Sequence, residues 1–61
     1  MSMLPQDPYL LLSVVNTKLL DEFDSLEELC QVQQVDMDEM SQRLAAIGYR
    51  YIPEQNRFGS C

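Results

Sequence analysis

The stretch SLEELCQVQQVDMDEM, residues 25–40, decides the fold. It contains two capping boxes, Ser25-Leu-Glu-Glu28 and Asp36-Met-Asp-Glu39. In a capping box the first side chain accepts an amide hydrogen from the third helical residue, whose own carboxylate reaches back to the first amide. Val35 can also contact Met40, four places into the following helix. Two helix starts so close together predict a tight helix-turn-helix.

Apolar periodicity sets the extent of the three predicted helices. The first helix is expected over about 8–23, because Asp7 is a good N-cap and Pro8 fits the first helical position. The second is expected over about 26–33 and the third over about 37–47, with Gly48 as a left-handed C-cap. The predicted core faces are Leu11, Leu12, Val15, Leu19 and Phe23; Leu26, Leu29 and Cys30; and Met37, Met40, Leu44 and Ile47.

The C-terminal residues predict a β-hairpin over about 49–59. Tyr49-Arg-Tyr-Ile52 alternates as a strand does, and Pro53-Glu-Gln-Asn56 is typical of a turn. The returning strand places Phe58 across from Tyr51. The predicted fold is therefore mainly α, a three-helix, helix-turn-helix-like bundle with a small C-terminal two-stranded β-hairpin, or wing.

Length and charge limit the function. The 61 residues carry a formal net charge of −6 and predict a single small domain, 1–61, which buries only about 60% of its unfolded surface. A negative field repels nucleic-acid phosphates and anionic lipids, and favours solubility or a basic protein partner. The longest apolar run, residues 9–15, is too short to span a bilayer and follows no basic residue of a signal peptide. We therefore expect a cytoplasmic protein without membrane contact.

Several strings in the chain resemble a known family. They are Met3-Leu-Pro-Gln-Asp-Pro8, Val15-Asn-Thr-Lys-Leu19, Ser25-Leu-Glu-Glu-Leu-Cys30, Ile47-Gly-Tyr-Arg-Tyr51 and Asn56-Arg-Phe58. The chain is similar to short, stand-alone bacterial proteins known only as a domain of unknown function. The resemblance covers nearly the whole chain from Met3, with Met1 and Ser2 preceding the usual start. It implies no activity and assigns no site residue.

The sequence favours an interaction protein over an enzyme. No histidine is present, and Cys30 and Cys61 are the only thiols, so one chain can assemble neither a zinc site nor an activated nucleophile. The carboxylates are expected at helix caps and on solvent faces. We therefore expect no catalytic residue, cofactor, metal or small-molecule substrate.

Leu10 and Val14 form the predicted interaction surface. They lie outside the core stripe of the first helix and offer apolar area to an unidentified protein partner, or to a second copy in a homodimer. The competing interpretation is that the wing or the N-terminal arm of the same chain covers them. Asn16, at the rim of the apolar face, is expected to bond a loop backbone.

The alternative function is a winged helix-turn-helix that binds nucleic acid or serves transcription. The residues that would then contact it are Gln42, Arg43, Arg50 and Arg57. Against it, the third helix opens with Asp36, Asp38 and Glu39, at the end that normally meets base edges. Because counterion release needs a cluster of cations, we expect nucleic-acid binding to be the weaker hypothesis.

Overall fold

Three helices and a C-terminal β-hairpin form the fold, as predicted. The computed structural model describes residues 4–60. The elements in chain order are α1 (Pro8–Asp21), α2 (Leu26–Gln33), α3 (Met37–Ala45), β1 (Tyr49–Ile52) and β2 (Arg57–Ser60). The two strands pair antiparallel, and the hairpin lies against α1 through β2 and against α3 through β1.

The core lies where the inner face of α1 meets α2, α3 and the hairpin. It consists of Leu11, Val15, Leu19, Leu26, Leu29, Cys30, Met40, Leu44 and Phe58. All but Phe58 belong to the three predicted helix faces. Met37 is the exception on α3, because it remains 41% exposed in the first turn. Its placement on the buried face was therefore wrong.

Two helices end earlier than predicted. α1 stops at Asp21 and not at Phe23, because the Phe23 amide donates to the Lys18 carbonyl, 3.0 Å away, instead of to that of Leu19. α3 stops at Ala45 and not at residue 47, because the amides of residues 47 and 48 donate three residues back, to the carbonyls of Leu44 and Ala45, in a tighter turn. Ala46 is thus the C-cap, while Gly48 supplies the left-handed conformation with a φ of 85°.

The N-caps of both capping boxes, Ser25 and Asp36, form as predicted. Within residues 4–60, however, neither box has the return hydrogen bond from the N-cap amide to the glutamate carboxylate. The Ser25 hydroxyl accepts from the Glu28 amide at 3.1 Å, and Asp36 accepts from the amides of residues 38 and 39 at 2.9 and 3.3 Å. The Glu39 carboxylate pairs with Arg43 at 3.0 Å. Arg43, one turn further along α3, competes for that carboxylate, so the second hydrogen bond of this capping box does not form.

The hairpin has the predicted register, with Tyr51 opposite Phe58. Their ring centroids lie 5.6 Å apart at an angle of 54°. Phe58 is almost fully buried, and Tyr51 packs against the core from its edge. Because an isolated hairpin is barely stable in water, this aromatic pair depends on the helices beneath it.

The caps predict a measurable loss of stability. Ser25→Ala and Asp36→Ala should each lower the free energy of unfolding by about 1 kcal/mol, because each leaves amide hydrogens at a helix start without an acceptor. In a domain of this size that corresponds to a melting temperature lower by about 4–8 °C. Thermal denaturation followed by circular dichroism measures it, with Gln31→Ala, an exposed residue inside α2, as the control. Parent-like melting of both cap variants would contradict these helix starts.

Candidate interaction surface

The side chain of Asn16 on α1 holds the hairpin in place. Its Nδ2 donates to the Phe58 carbonyl at 3.1 Å, and its Oδ1 accepts from the Phe58 amide at 2.8 Å. The carboxamide therefore pairs with β2 as the backbone of a third strand would. The expected backbone partner exists, but it belongs to a strand and not to a loop.

A second asparagine fixes the turn of the hairpin. Asn56, with a left-handed φ of 50°, donates through Nδ2 to the carbonyls of Leu19 and Phe23 at 3.1 and 3.0 Å. Its Oδ1 accepts from the Tyr51 hydroxyl at 2.6 Å, and that hydroxyl accepts from the Leu26 amide at 3.4 Å. The Leu19 carbonyl has lost its helical donor, so Asn56 supplies the missing hydrogen bond. Sequence reasoning identified a turn here but missed this bond.

Within residues 4–60, these contacts place the hairpin on the inner side of α1 and leave its outer side exposed. We define the outer face of α1 as Tyr9, Leu10, Ser13, Thr17 and Leu20, all of which are exposed. Tyr9, Leu10 and Leu20 expose 65%, 59% and 83% of their area. Three large apolar side chains on one helix face form a patch of the kind that marks an interaction site.

The outer face of α1 carries no charge. Lys18 is the only charged residue between Pro8 and Leu20. It lies about 120° around the helix from the centre of the face, and its amine is 3.5 Å from the Glu22 carboxylate. At the centre, the Thr17 hydroxyl donates to the Ser13 carbonyl at 2.9 Å. At the C-terminal end of the face, Asp21, Glu22 and Arg57 line a cavity together with Leu20. A surface docking here would therefore meet charges at that end and none at the centre of the face.

The two predicted interaction residues have different surroundings. Leu10 lies on the outer face, and its 59% exposure means that the hairpin does not cover it. Val14 is half-buried at the edge of that face. Sequence reasoning did not identify Tyr9 and Leu20, although a signal existed: eight of the 14 residues of α1 are apolar. A helix with apolar residues on more than one side has more such surface than one core can bury.

The predicted nucleic-acid contacts do not form one cationic surface. Arg43 is 3.0 Å from Glu39 and donates to the Gln6 carbonyl at 3.4 Å. Arg50 and Arg57 are exposed and share the hairpin face turned away from Phe58, because side chains alternate along a strand. Gln42 is exposed on α3. Arg43 is thus neutralised by a carboxylate of its own helix. It is separate from the other two arginines, which lie on the hairpin.

A groove of about 380 Å³ lies between the N-terminal segment, α1 and α3. Its apolar lining includes Leu11 and Met40, and its polar lining includes Asp36, Glu39 and Arg43. Glu39 and Arg43 pair with each other, and the Asp36 carboxylate accepts hydrogen bonds from the first amides of α3.

The described residues contain no set of side chains suited to a metal. Between residues 4 and 60, no three histidine, cysteine or acidic side chains come together as ligands. Burial, and then the negative charge of Asp36, raise the pKa of the Cys30 thiol above its ordinary value. A thiol of this kind stays protonated and behaves as a small apolar side chain. Cys61, Met1 and Ser2 lie outside the described residues.

Comparison with protein families identifies the chain. Residues 5–58 match the model of DUF4250, a domain of unknown function. The chain belongs to the DUF4250 family. The resemblance to a short domain-of-unknown-function family is therefore confirmed. No curated protein matches this DUF4250 chain, and no solved structure does. Among the residues described, no helix is long and apolar enough to cross a bilayer.

Removing the Asn16 carboxamide should destabilise the DUF4250 fold strongly. Asn16→Ala leaves the buried amide and carbonyl of Phe58 unpaired, which costs about 2 kcal/mol, a large share of the roughly 3–9 kcal/mol expected for a chain of this length. Urea denaturation measures the loss, and hydrogen exchange at the Phe58 amide should accelerate. Gln42→Ala, which removes an exposed carboxamide from α3, is the matched control. Equal stability of the two variants would refute the role of Asn16.

Proposed function

We propose that this DUF4250 protein is a small, non-enzymatic protein-interaction module that binds its partner through the outer face of α1. The observation that supports the proposal is the exposure of Tyr9, Leu10 and Leu20, between 59% and 83%, on one uncharged helix face. Interface centres are rich in aromatic residues and poor in charge. The outer face of α1 has one aromatic side chain, Tyr9, and no charged residue.

The charge distribution favours this surface over the rest of the molecule. The chain has ten acidic residues, and those of the helix starts and of the α1–α2 connection are exposed. Burying such carboxylates in an interface would cost free energy unless each found a partner. A partner that docks on the outer face of α1 avoids that cost. The proposed setting is the cytoplasm of a bacterial cell, with no cofactor and no small-molecule substrate.

Site-specific photo-crosslinking tests the proposal. Benzoylphenylalanine in place of Leu20, and separately of Leu10, should give discrete protein adducts on irradiation of cells that produce the protein, because both positions would lie inside the interface. The same reporter in place of Gln31, exposed on α2, is the control. The proposal fails if positions 10 and 20 give no adduct, or if all three positions give the same bands.

The alternative, nucleic-acid binding through α3 and the hairpin, makes a different prediction. Asp36, Asp38 and Glu39 are exposed at the start of α3, so their field opposes phosphate. We expect no binding to random duplex DNA tighter than about 10⁻⁴ M at physiological salt. Fluorescence anisotropy measures this, with Arg50→Gln/Arg57→Gln as the matched variant. A micromolar, salt-dependent affinity that this variant loses would favour the nucleic-acid function instead.

A further inference from the structure

We infer that the outer face of α1 binds the same face of a second copy of this chain, with the two helices antiparallel about a two-fold axis. The inference rests on the proposed function, because it names the partner of that same surface. It is carried by the order of residues along the face, by the hydrogen bond at its centre and by its charge.

The outer face of α1 has matching halves. Leu10 and Ser13 lie as far before the midpoint of the helix, near Val15, as Leu20 and Thr17 lie beyond it. When a helix packs antiparallel on its own copy about that midpoint, Leu10 meets Leu20 of the second copy and Ser13 meets Thr17. An isologous interface requires this kind of self-complementary surface. Both large leucines then find apolar partners, and the small residues let the helices approach.

The polar groups at the centre can be buried together. The Thr17 hydroxyl already donates to the Ser13 carbonyl at 2.9 Å, so its oxygen is left to accept. In the antiparallel arrangement the Ser13 hydroxyl of the second copy lies opposite that oxygen and can donate to it. The two-fold axis repeats the bond.

The charges that accompany the antiparallel arrangement lie at the helix ends. Asp21 lies as far beyond the midpoint as Tyr9 lies before it, so each Asp21 carboxylate lies near the first turn of α1 of the other copy. The dipole of that helix favours a negative charge there, whereas the Asp7 carboxylate at its N-cap opposes it. A strongly basic partner would find no carboxylate on the outer face itself. The charge of this face therefore fits a second copy better than a basic protein.

The available area predicts a weak dimer. A helix of 14 residues is about 21 Å long and about 10–12 Å wide with its side chains. Its outer face therefore offers roughly 210–250 Å² on each copy, well below the roughly 1,200 Å² in total at which standard specific interfaces begin. The net charge of −6 on each copy opposes their approach, and salt screens that repulsion. We expect a concentration-dependent dimer that tightens as salt is added, whereas complexes with a basic partner weaken.

Sedimentation velocity on the full chain, with reductant to exclude disulfides, measures the association. The weight-average mass should rise from that of one chain towards that of two between about 5 and 500 μM, consistent with a dissociation constant near 10⁻⁴ M or tighter. It should rise further in about 0.5 M salt than in about 0.15 M salt. A strictly monomeric chain over this range in both salts would overturn the inference.

Charge variants test the antiparallel geometry. Leu10→Glu/Leu20→Lys places opposite charges together at both contacts and should still dimerise. Leu10→Glu/Leu20→Glu and Leu10→Lys/Leu20→Lys place like charges together, which should weaken association by at least about 100-fold. The last variant is less negative than the parent, so its loss of association cannot come from net charge. Both leucines are exposed, and circular dichroism checks that each variant remains folded.

Matched controls separate this inference from the proposed function. Gln31→Glu/Gln42→Glu makes the same charge change as the Glu/Glu variant on exposed positions of α2 and α3, and should dimerise like the parent. Loss of association there, or in the Glu/Lys variant, would overturn the inference. A purified chain that stays monomeric while position 20 crosslinks a different protein in cells would overturn the second copy as partner but leave the interaction module intact.

Discussion

The two hydrogen bonds between the Asn16 carboxamide and the backbone of Phe58 are the constraint on which the rest of the structure depends. A two-stranded hairpin has two open edges and too little apolar area to be stable alone. Asn16 pairs with one of those edges, and it does so from the helix that also supplies Val15 and Leu19 to the core. These bonds thereby fix both the position of Phe58 along α1 and its depth in the core. The hairpin consequently occupies the inner side of α1, and the outer side is left as the uncovered apolar surface of that helix.

The other partly buried polar side chains also form hydrogen bonds that hold the backbone. Asn56 and Tyr51 join the end of α1 to the start of α2 through groups that would otherwise lack partners. Across residues 4–60, no buried side-chain nitrogen or oxygen is without a hydrogen bond. The asparagines and Tyr51 are thus engaged in holding backbone, and their donors and acceptors are already committed. The strings that resemble the DUF4250 family contain these residues, and in this chain the three residues hold the fold together.

Local signals in the sequence were sufficient to predict most of the fold. The caps at Asp7, Ser25 and Asp36 and the pairing of Tyr51 with Phe58 depend on neighbouring residues and on alternation, and all were predicted. The predicted helix ends were less accurate. The end of α1 is set by an amide that changes its carbonyl partner and by Asn56, which lies far along the chain. For the same reason the candidate site was only half predicted. Leu10 was found from the helical wheel, but Leu20 becomes notable only once the structure shows it exposed beside the hairpin, in a cavity that Asn16 and Arg57 also line.

Helix propensity alone does not account for the outer face of α1. Leucine is a good helix former, so Leu10 and Leu20 on an exposed surface could reflect propensity. Tyrosine and valine are poorer helix formers, and yet Tyr9 lies on this face and Val14 at its edge. Charged residues, which favour both helicity and solubility at exposed positions, are missing there, although α2 and α3 carry them at their starts. A surface selected only for folding and solubility would have used glutamate or lysine at these positions. The absence of charged residues among the exposed side chains of this face is what a contact surface requires, because charges buried there would need partners.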